Sequence, residues 1–209
     1  MRVLLTRPQG RNEQLAESLR RCPGLEVVIE PLVALEPLGD DPIELAGYDW
    51  VILTSMTGAR ELRRRGQGRP RRVAAIGRTT AEAWGEVDLV PQVSTQEGLL
   101  AELPRPAGRV LFAGAERARR LLVDELDADF VPLYRTREVR PDTSVDPDLV
   151  VLASPSAARS YAALGLDAPA VSIGPETTAA ATRLGVRVLE EARTQDVAGL
   201  SDAVLRATR

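Results

Sequence analysis

DWVILTS (residues 49–55) and DLVVLAS (residues 148–154) are nearly the same text written twice. Each is an apolar run too short for a helix and closed by a serine. That pattern predicts a strand buried on both faces, followed by a loop. Further pairs appear outward from these two: RVLLT at 2 and RVLFA at 109, AIG at 75 and SIG at 172, TQ at 95 and at 194. Four elements in one order at nearly constant spacing predict an internal repeat. Helical patterns stand between the apolar runs, including NEQLAESLRRC (12–22), GARELRRR (58–65), TAEAW (80–84) and QEGLLAEL (96–103), and DLVP (88–91) reads as one more strand. Such alternation predicts an α/β fold: two similar parallel-sheet domains, each of about five strands.

The domain division has two solutions. PRPAG (104–108) would cut the chain between the repeats. EPLGDDPIELAG (36–47) and TREVRPDTSVDP (136–147) compete with it, being aperiodic, rich in Pro and Asp, and at equivalent places in the two copies. If the chain crosses there, its middle forms one domain and its two ends join to form the other.

Composition narrows the chemistry. The 209 residues are 44% apolar and 27% charged, which is enough for a real core. Histidine is absent, and every basic side chain is Arg. A Ser-His-Asp triad, a histidine metal site and a Schiff-base lysine are thereby excluded, so proton donors reduce to carboxylates, phenols, Cys22 and water. Aromatic residues make up only 3%, too few for a nucleic-acid stacking platform, and the basic run RRRGQGRPRR (63–72) reads as a solvated helix end and loop. A single cysteine, Cys22, can form no internal disulfide. No apolar stretch approaches the ~20 residues of a membrane span, and MRVLLTRPQG does not read as a signal peptide, so a cytoplasmic protein is expected.

In open parallel sheets, ligands bind outside the carboxyl ends of the strands. The loops there begin at Thr6 and Arg7, at Ser55, Met56 and Thr57, at Gly77, Arg78, Thr79 and Thr80, at Gly114, at Ser154, Pro155 and Ser156, and at Gly174 with Thr177. They are rich in hydroxyls and glycine and contain no carboxylate pair. Ser154 before Pro155 fits a helix cap, and Thr80 and Thr177 could cap the helices after Gly77 and Gly174. Hydroxyls, backbone N–H groups and Arg7 together suit an anionic ligand. No Walker loop or GxGxxG fingerprint is present.

The ordered set VLLTRP (3–8), EPLVALEP (30–37), DWVILTS, AIGRTTA (75–81), STQEGLLAEL (94–103), VPLYRT (131–136), SPSAA (154–158) and SIGPETTA (172–179) resembles the uroporphyrinogen-III synthase family over essentially the whole chain. The resemblance implies a discontinuous domain of residues 1–36 and 140–209, a second domain of residues 40–136, extended linkers at 37–47 and 136–147, and a central cleft. It implies a cofactor-free monomer, without metal, acting on a linear tetrapyrrole, hydroxymethylbilane, that bears eight carboxylates. Tyr134 matches the family tyrosine that assists departure of a hydroxyl. Thr80, Thr177, Ser55 and Ser154 match its carboxylate-binding hydroxyls. The net charge of −3 means that local Arg residues must draw in such a substrate. A non-catalytic ligand-binding module on the same fold is the competing reading, and a two-lobed transferase the weaker one.

Overall fold

The computed structural model describes residues 1–141 and 145–208. In chain order it contains β1 (Arg2–Leu5), α1 (Glu13–Arg20), β2 (Glu26–Ile29), β3 (Val33–Pro37), β4 (Ile43–Glu44), β5 (Trp50–Leu53), α2 (Met56–Arg65), β6 (Gly66–Gln67), β7 (Val73–Ala75), α3 (Arg78–Trp84) and α4 (Gln96–Glu102). There follow β8 (Val110–Ala115), α5 (Leu121–Leu126), β9 (Asp129–Glu138), β10 (Leu149–Leu152), α6 (Pro155–Ala162), β11 (Ala170–Ser172), α7 (Pro175–Arg183), β12 (Val188–Glu191) and α8 (Val197–Ala207). Two compact units result: Met1–Leu35 with Thr136–Arg209, called here the first unit, and Glu36–Arg135, the second.

The first unit holds a sheet of order β12-β11-β10-β1-β2, with β1 parallel to both β10 and β2. Successive side chains of a strand point to opposite faces, and the apolar runs supply a core to each. Val3, Leu5, Leu149 and Val151 pack with Leu15 and Leu19 of α1 and Leu200 and Val204 of α8. Leu4, Val150 and Leu152 pack on the other face with Ala157 and Tyr161 of α6 and Ala180 and Ala181 of α7. Burying each such Leu or Val contributes about 1.5–3 kcal/mol, so a polar substitution at Val150 or Val151 would break the unit. Unbroken apolar strands are what a two-sided sheet requires.

The second unit repeats this logic with the order β3-β9-β8-β5-β7. Strands β5, β7 and β8 run parallel, and β8 is parallel to β9. Trp50, Ile52 and Phe112 of this sheet pack with Leu99 and Leu103, at the end of α4, and with Leu122 of α5. Phe112 meets Phe130 with ring centroids 5.3 Å apart in a tilted arrangement. The run DLVP does not become a strand. Only an isolated bridge joins Ala74 to Leu89, because the Asp88 carboxylate takes the Val73 N–H at 2.7 Å and Pro91 has no N–H to continue a ladder.

The chain leaves the first unit within β3 and returns within β9, and these two strands are neighbours in the second sheet. Leu38 donates its N–H to the Leu133 carbonyl at 2.8 Å, and Val139 donates to Leu32 at 2.9 Å. Residues 37–47 lie in the second unit, where α2 pins them: Arg64 donates to Asp40 and to the Gly39 carbonyl, and Arg65 donates to the carbonyls of Asp41 and Leu38. Of the stretch 136–147, residues 142–144 lie outside the described residues.

In the first unit, chain order reverses between β1 and β10, since β2 follows β1 on one side and β10 lies on the other. The second unit does the same between β5 and β8. Ligand crevices of open α/β sheets lie beyond the carboxyl ends of such strand pairs.

Candidate functional site

In the second unit this crevice is built around two hydroxyls. Ser55 stands in extended conformation just after β5 and caps α2, its Oγ accepting the Gly58 N–H at 3.0 Å. Tyr134 reaches the same oxygen from β9, its Oη 2.9 Å from Ser55 Oγ. The phenol is 8% exposed. A register shift sets it there: Pro132 pairs with Gly114 but Tyr134 pairs with Ala115, so the alternation of faces slips by one residue. Gly114 is needed beneath the crevice, because a Cβ there would press on the Phe112 ring at 3.3 Å. Gly58 is equally constrained, since a Cβ would lie 3.1 Å from Ser55 Oγ and 3.4 Å from the Ala113 carbonyl. Met56 and Thr57 open α2 and are half-buried.

The adjoining loop after β7 places Gly77 before α3. Its φ of −171° is ordinary extended backbone, so the glycine is explained by space: a Cβ would meet Ser94 Oγ at 3.2 Å. Arg78 and Thr79 are exposed. Thr80 lies inside α3 with 4% exposure and does not cap it.

In the first unit, Thr6 is fully buried and donates to the Val151 carbonyl at 2.7 Å, riveting the end of β1 to β10. A structural hydroxyl thus stands where sequence reading placed a ligand contact. The next residue is different. Arg7 is half-buried, and among the described residues no carboxylate is hydrogen-bonded to it. Desolvation, followed by the nearby Arg11 charge, holds its guanidinium below the usual range, with Glu13 opposing. An arginine side chain stays charged at physiological pH, and this one has Glu13 nearby but no carboxylate hydrogen-bonded to it among the described residues. Asn12, fully buried, fixes the loop by donating Nδ2 to the Arg7 carbonyl at 2.8 Å.

Ser154 caps α6, accepting the Ala157 N–H at 3.1 Å, with Pro155 at the first helical position. Its hydroxyl also pairs with that of Ser156 at 3.0 Å. Gly174 precedes α7 and makes room for Gln195, whose side chain would lie 3.1 Å from an added Cβ. Thr177 is 2% exposed within α7 and does not cap it, whereas Thr178 bonds Ser172 Oγ at 2.6 Å and also Glu191.

Sequence reading missed Gly58, Asn12, Ser94 and Gln195. The first two could have been sought as the residue three positions into a capped helix and as an amide five positions beyond a strand-end Arg. The latter two become visible only when the loops meet. Among the described residues no group of three or more His, Cys, Asp or Glu could hold a metal ion. A cavity of about 890 Å³ lies at the far end of the second sheet, around Arg63, Arg72, Val73, Trp84 and Asp88. It faces the amino end of β7, away from the switch point.

The family model described as Uroporphyrinogen-III synthase HemD matches residues 13–202. The uroporphyrinogen-III synthase of Synechococcus elongatus is 26% identical, the match covering 97% of this chain and 93% of that one. A protein of Archaeoglobus fulgidus assigned provisionally to the same activity is 34% identical over 90% of this chain and 91% of its own. One of Methanocaldococcus jannaschii, likewise provisional, is 28% identical over 66% of this chain, and the match spans 63% of that relative. A mutant uroporphyrinogen III synthase of the extremely thermophilic bacterium Thermus thermophilus has a similar structure, with a TM-score of 0.60 at 17% identity, covering all of this chain and 98% of that one. The chain belongs to the uroporphyrinogen-III synthase family, whose reaction is a step of tetrapyrrole biosynthesis.

Proposed function

We propose that this member of the family closes linear hydroxymethylbilane into uroporphyrinogen III, inverting the terminal pyrrole ring. The Tyr134 Oη gives its proton to the leaving hydroxyl, the carbon–oxygen bond breaks, and water departs. Electrons from the adjacent pyrrole nitrogen fill the vacancy, leaving a delocalised cation. The substituted carbon of the terminal ring attacks that centre to form a spiro intermediate. This fragments and recloses with the ring turned over, and the proton released as the ring regains aromaticity returns to the phenolate. One water is lost and nothing is oxidised. The pyrroles supply the electron push, so the protein must position the chain and protonate one oxygen. A site whose donors are phenol and hydroxyl suits that work.

The residues suited to carboxylates are those of the strand-end loops. Arg7 is the strongest candidate, since a partly desolvated guanidinium with no carboxylate hydrogen-bonded to it gains from one in a ligand. The N-termini of α2, at Met56 and Thr57, and of α6, at Ser156, carry the positive ends of their helix dipoles, which favour an anion. Arg78 and Thr79, exposed at the start of α3, extend the set past Gly77, with Gly114, Gly174 and Met56 shaping the walls. Thr80 and Thr177, held inward, bind only if their helices shift. No helix among the described residues is long and apolar enough to cross a membrane, and the lone Cys22 is free. The same proposal includes a cytoplasmic monomer.

The observation that carries the proposal is the Tyr134–Ser55 contact at the switch point of the second unit. The test is to supply enzymatically generated hydroxymethylbilane, oxidise the product and separate the uroporphyrin isomers. Isomer III is expected. Isomer I alone, from folded protein, would indicate spontaneous closure and favour a binding module on this fold.

A further inference from the structure

Ser55 was expected to bind a substrate carboxylate, but its oxygen is already committed. A serine hydroxyl has one hydrogen and two lone pairs. The Gly58 N–H occupies one lone pair at 3.0 Å, and Tyr134 Oη lies 2.9 Å away. If Tyr134 donated into the second lone pair, its proton would point into the protein. If Ser55 donates instead, the phenol keeps its proton free for another acceptor. The Gly58 amide favours the second arrangement, because a hydroxyl that accepts from an N–H becomes a better donor. Gly58 lies in the first turn of the ten-residue α2, so the positive end of that helix stands behind the hydroxyl.

We propose that Ser55 is the positioning residue for Tyr134, donating its hydroxyl hydrogen to the phenol oxygen and so linking the α2 N-terminus to it through Gly58. The inference rests on the assignment of Tyr134 as proton donor. When the Tyr134 proton passes to the leaving hydroxyl, the negative charge left on Oη is met by the Ser55 O–H, which is in turn held by the Gly58 N–H. No proton leaves Ser55 and no covalent bond to it forms. The same residue therefore serves as helix cap and as catalytic support, through two different sides of one oxygen.

The absence of bulk at residue 58 is part of the device. A Cβ there would approach Ser55 Oγ to 3.1 Å and lie within 3.6 Å of Gly114 Cα, so a larger residue moves the serine or opens α2 from β8.

The test compares Ser55→Ala, Ser55→Thr, Tyr134→Phe and the double variant Ser55→Ala/Tyr134→Phe in the full chain, with hydroxymethylbilane as substrate. Ser55→Ala is expected to lower kcat roughly 10- to 100-fold with KM within a factor of about two, the loss appropriate to a hydrogen bond to a charged oxygen. Ser55→Thr keeps the O–H and restores most of kcat. In the double variant the serine change costs nothing further, because the atom it supported is gone. Two results would overturn the proposal: a raised KM with kcat intact, which makes Ser55 a substrate binder, or a lower melting temperature with both constants unchanged, which makes it a cap alone. Ser55→Asp guards against misfolding, since its carboxylate still caps α2 but cannot donate to Tyr134; it should fold and remain slow. Full activity in Tyr134→Phe would instead remove the underlying assignment, an outcome distinct from any result at Ser55.

Discussion

The two switch-point crevices are built to one plan and equipped differently. Each has a serine after a central strand, extended in backbone, accepting an N–H from the third residue of the following helix. In the second unit the serine's other contact is a phenol from β9, and in the first unit it is only the neighbouring Ser156 hydroxyl. What the first unit has instead is Arg7, a half-buried charge with no carboxylate hydrogen-bonded to it among the described residues. A shared frame therefore places a crevice in each unit, and one side chain added to each copy sets its chemistry: a phenol can donate a proton, and a guanidinium can bind an anion.

The largest effect should come from Tyr134→Phe, which removes the phenol without altering packing. We expect kcat to fall by about 100-fold or more with the fold retained by near-UV circular dichroism; a rate within threefold of the parent would end the distinction between the units. Arg7→Ala should act the other way, raising KM by roughly tenfold while leaving kcat close to the parent value, as steady-state kinetics would show. Equal losses in kcat for both variants would mean that chemistry is shared across the units.

Ser154→Ala tests the frame without its equipment. It removes a cap worth about 1 kcal/mol and should lower the melting temperature by a few degrees with little change in kcat, in contrast to Ser55→Ala. The smallest effect concerns acid. Arg119 hydrogen-bonds Glu97 and holds it at about 2, while Asp49, through the Arg109 N–H and Arg71, and Asp129, through Tyr48 and Arg109, are also held low. All three lie in the second unit, whereas among the described residues of the first it is Asp196 that is held low, by the Gly199 N–H first. Groups with lowered folded pKa stabilise above their unfolded values and lose that contribution as pH falls toward the folded ones. Hydrogen exchange between pH 5 and pH 2 should therefore show the second unit loosening more than the first, by a margin that salt reduces, since these groups are exposed. Equal loosening would show that these surface networks carry no weight.

The central strands were legible because a strand buried on both faces must be apolar throughout, and LVVL and WVIL are. Strand β9 was not, since DFVPLYRTRE mixes a proline with charge, and Pro132 is tolerated only beside the register shift. The same shift hid the partnership of Ser55 with Tyr134, which lie 79 positions apart and meet only because the alternation slips. Hydroxyl-rich loops announced the crevices, but not which hydroxyls face inward. Thr6 and Thr177 are buried within their own units because a hydroxyl near a strand end can satisfy a carbonyl or pack in a first helical turn as readily as it can meet a ligand.

The double passage through β3 and β9 also sets an order of assembly. Strand β1 sits between β2 and β10, so its partner arrives about 145 residues later on the ribosome, after the whole of the second unit has been made. The second unit, contiguous from Glu36 to Arg135, can acquire its core as it emerges, whereas β1, α1 and β2 alone leave Leu4 without Val150, Leu152 and Tyr161, which complete its face of the sheet. The connectivity thus makes one unit local and the other non-local: the first closes its sheet only across a stretch of chain that is itself a complete fold.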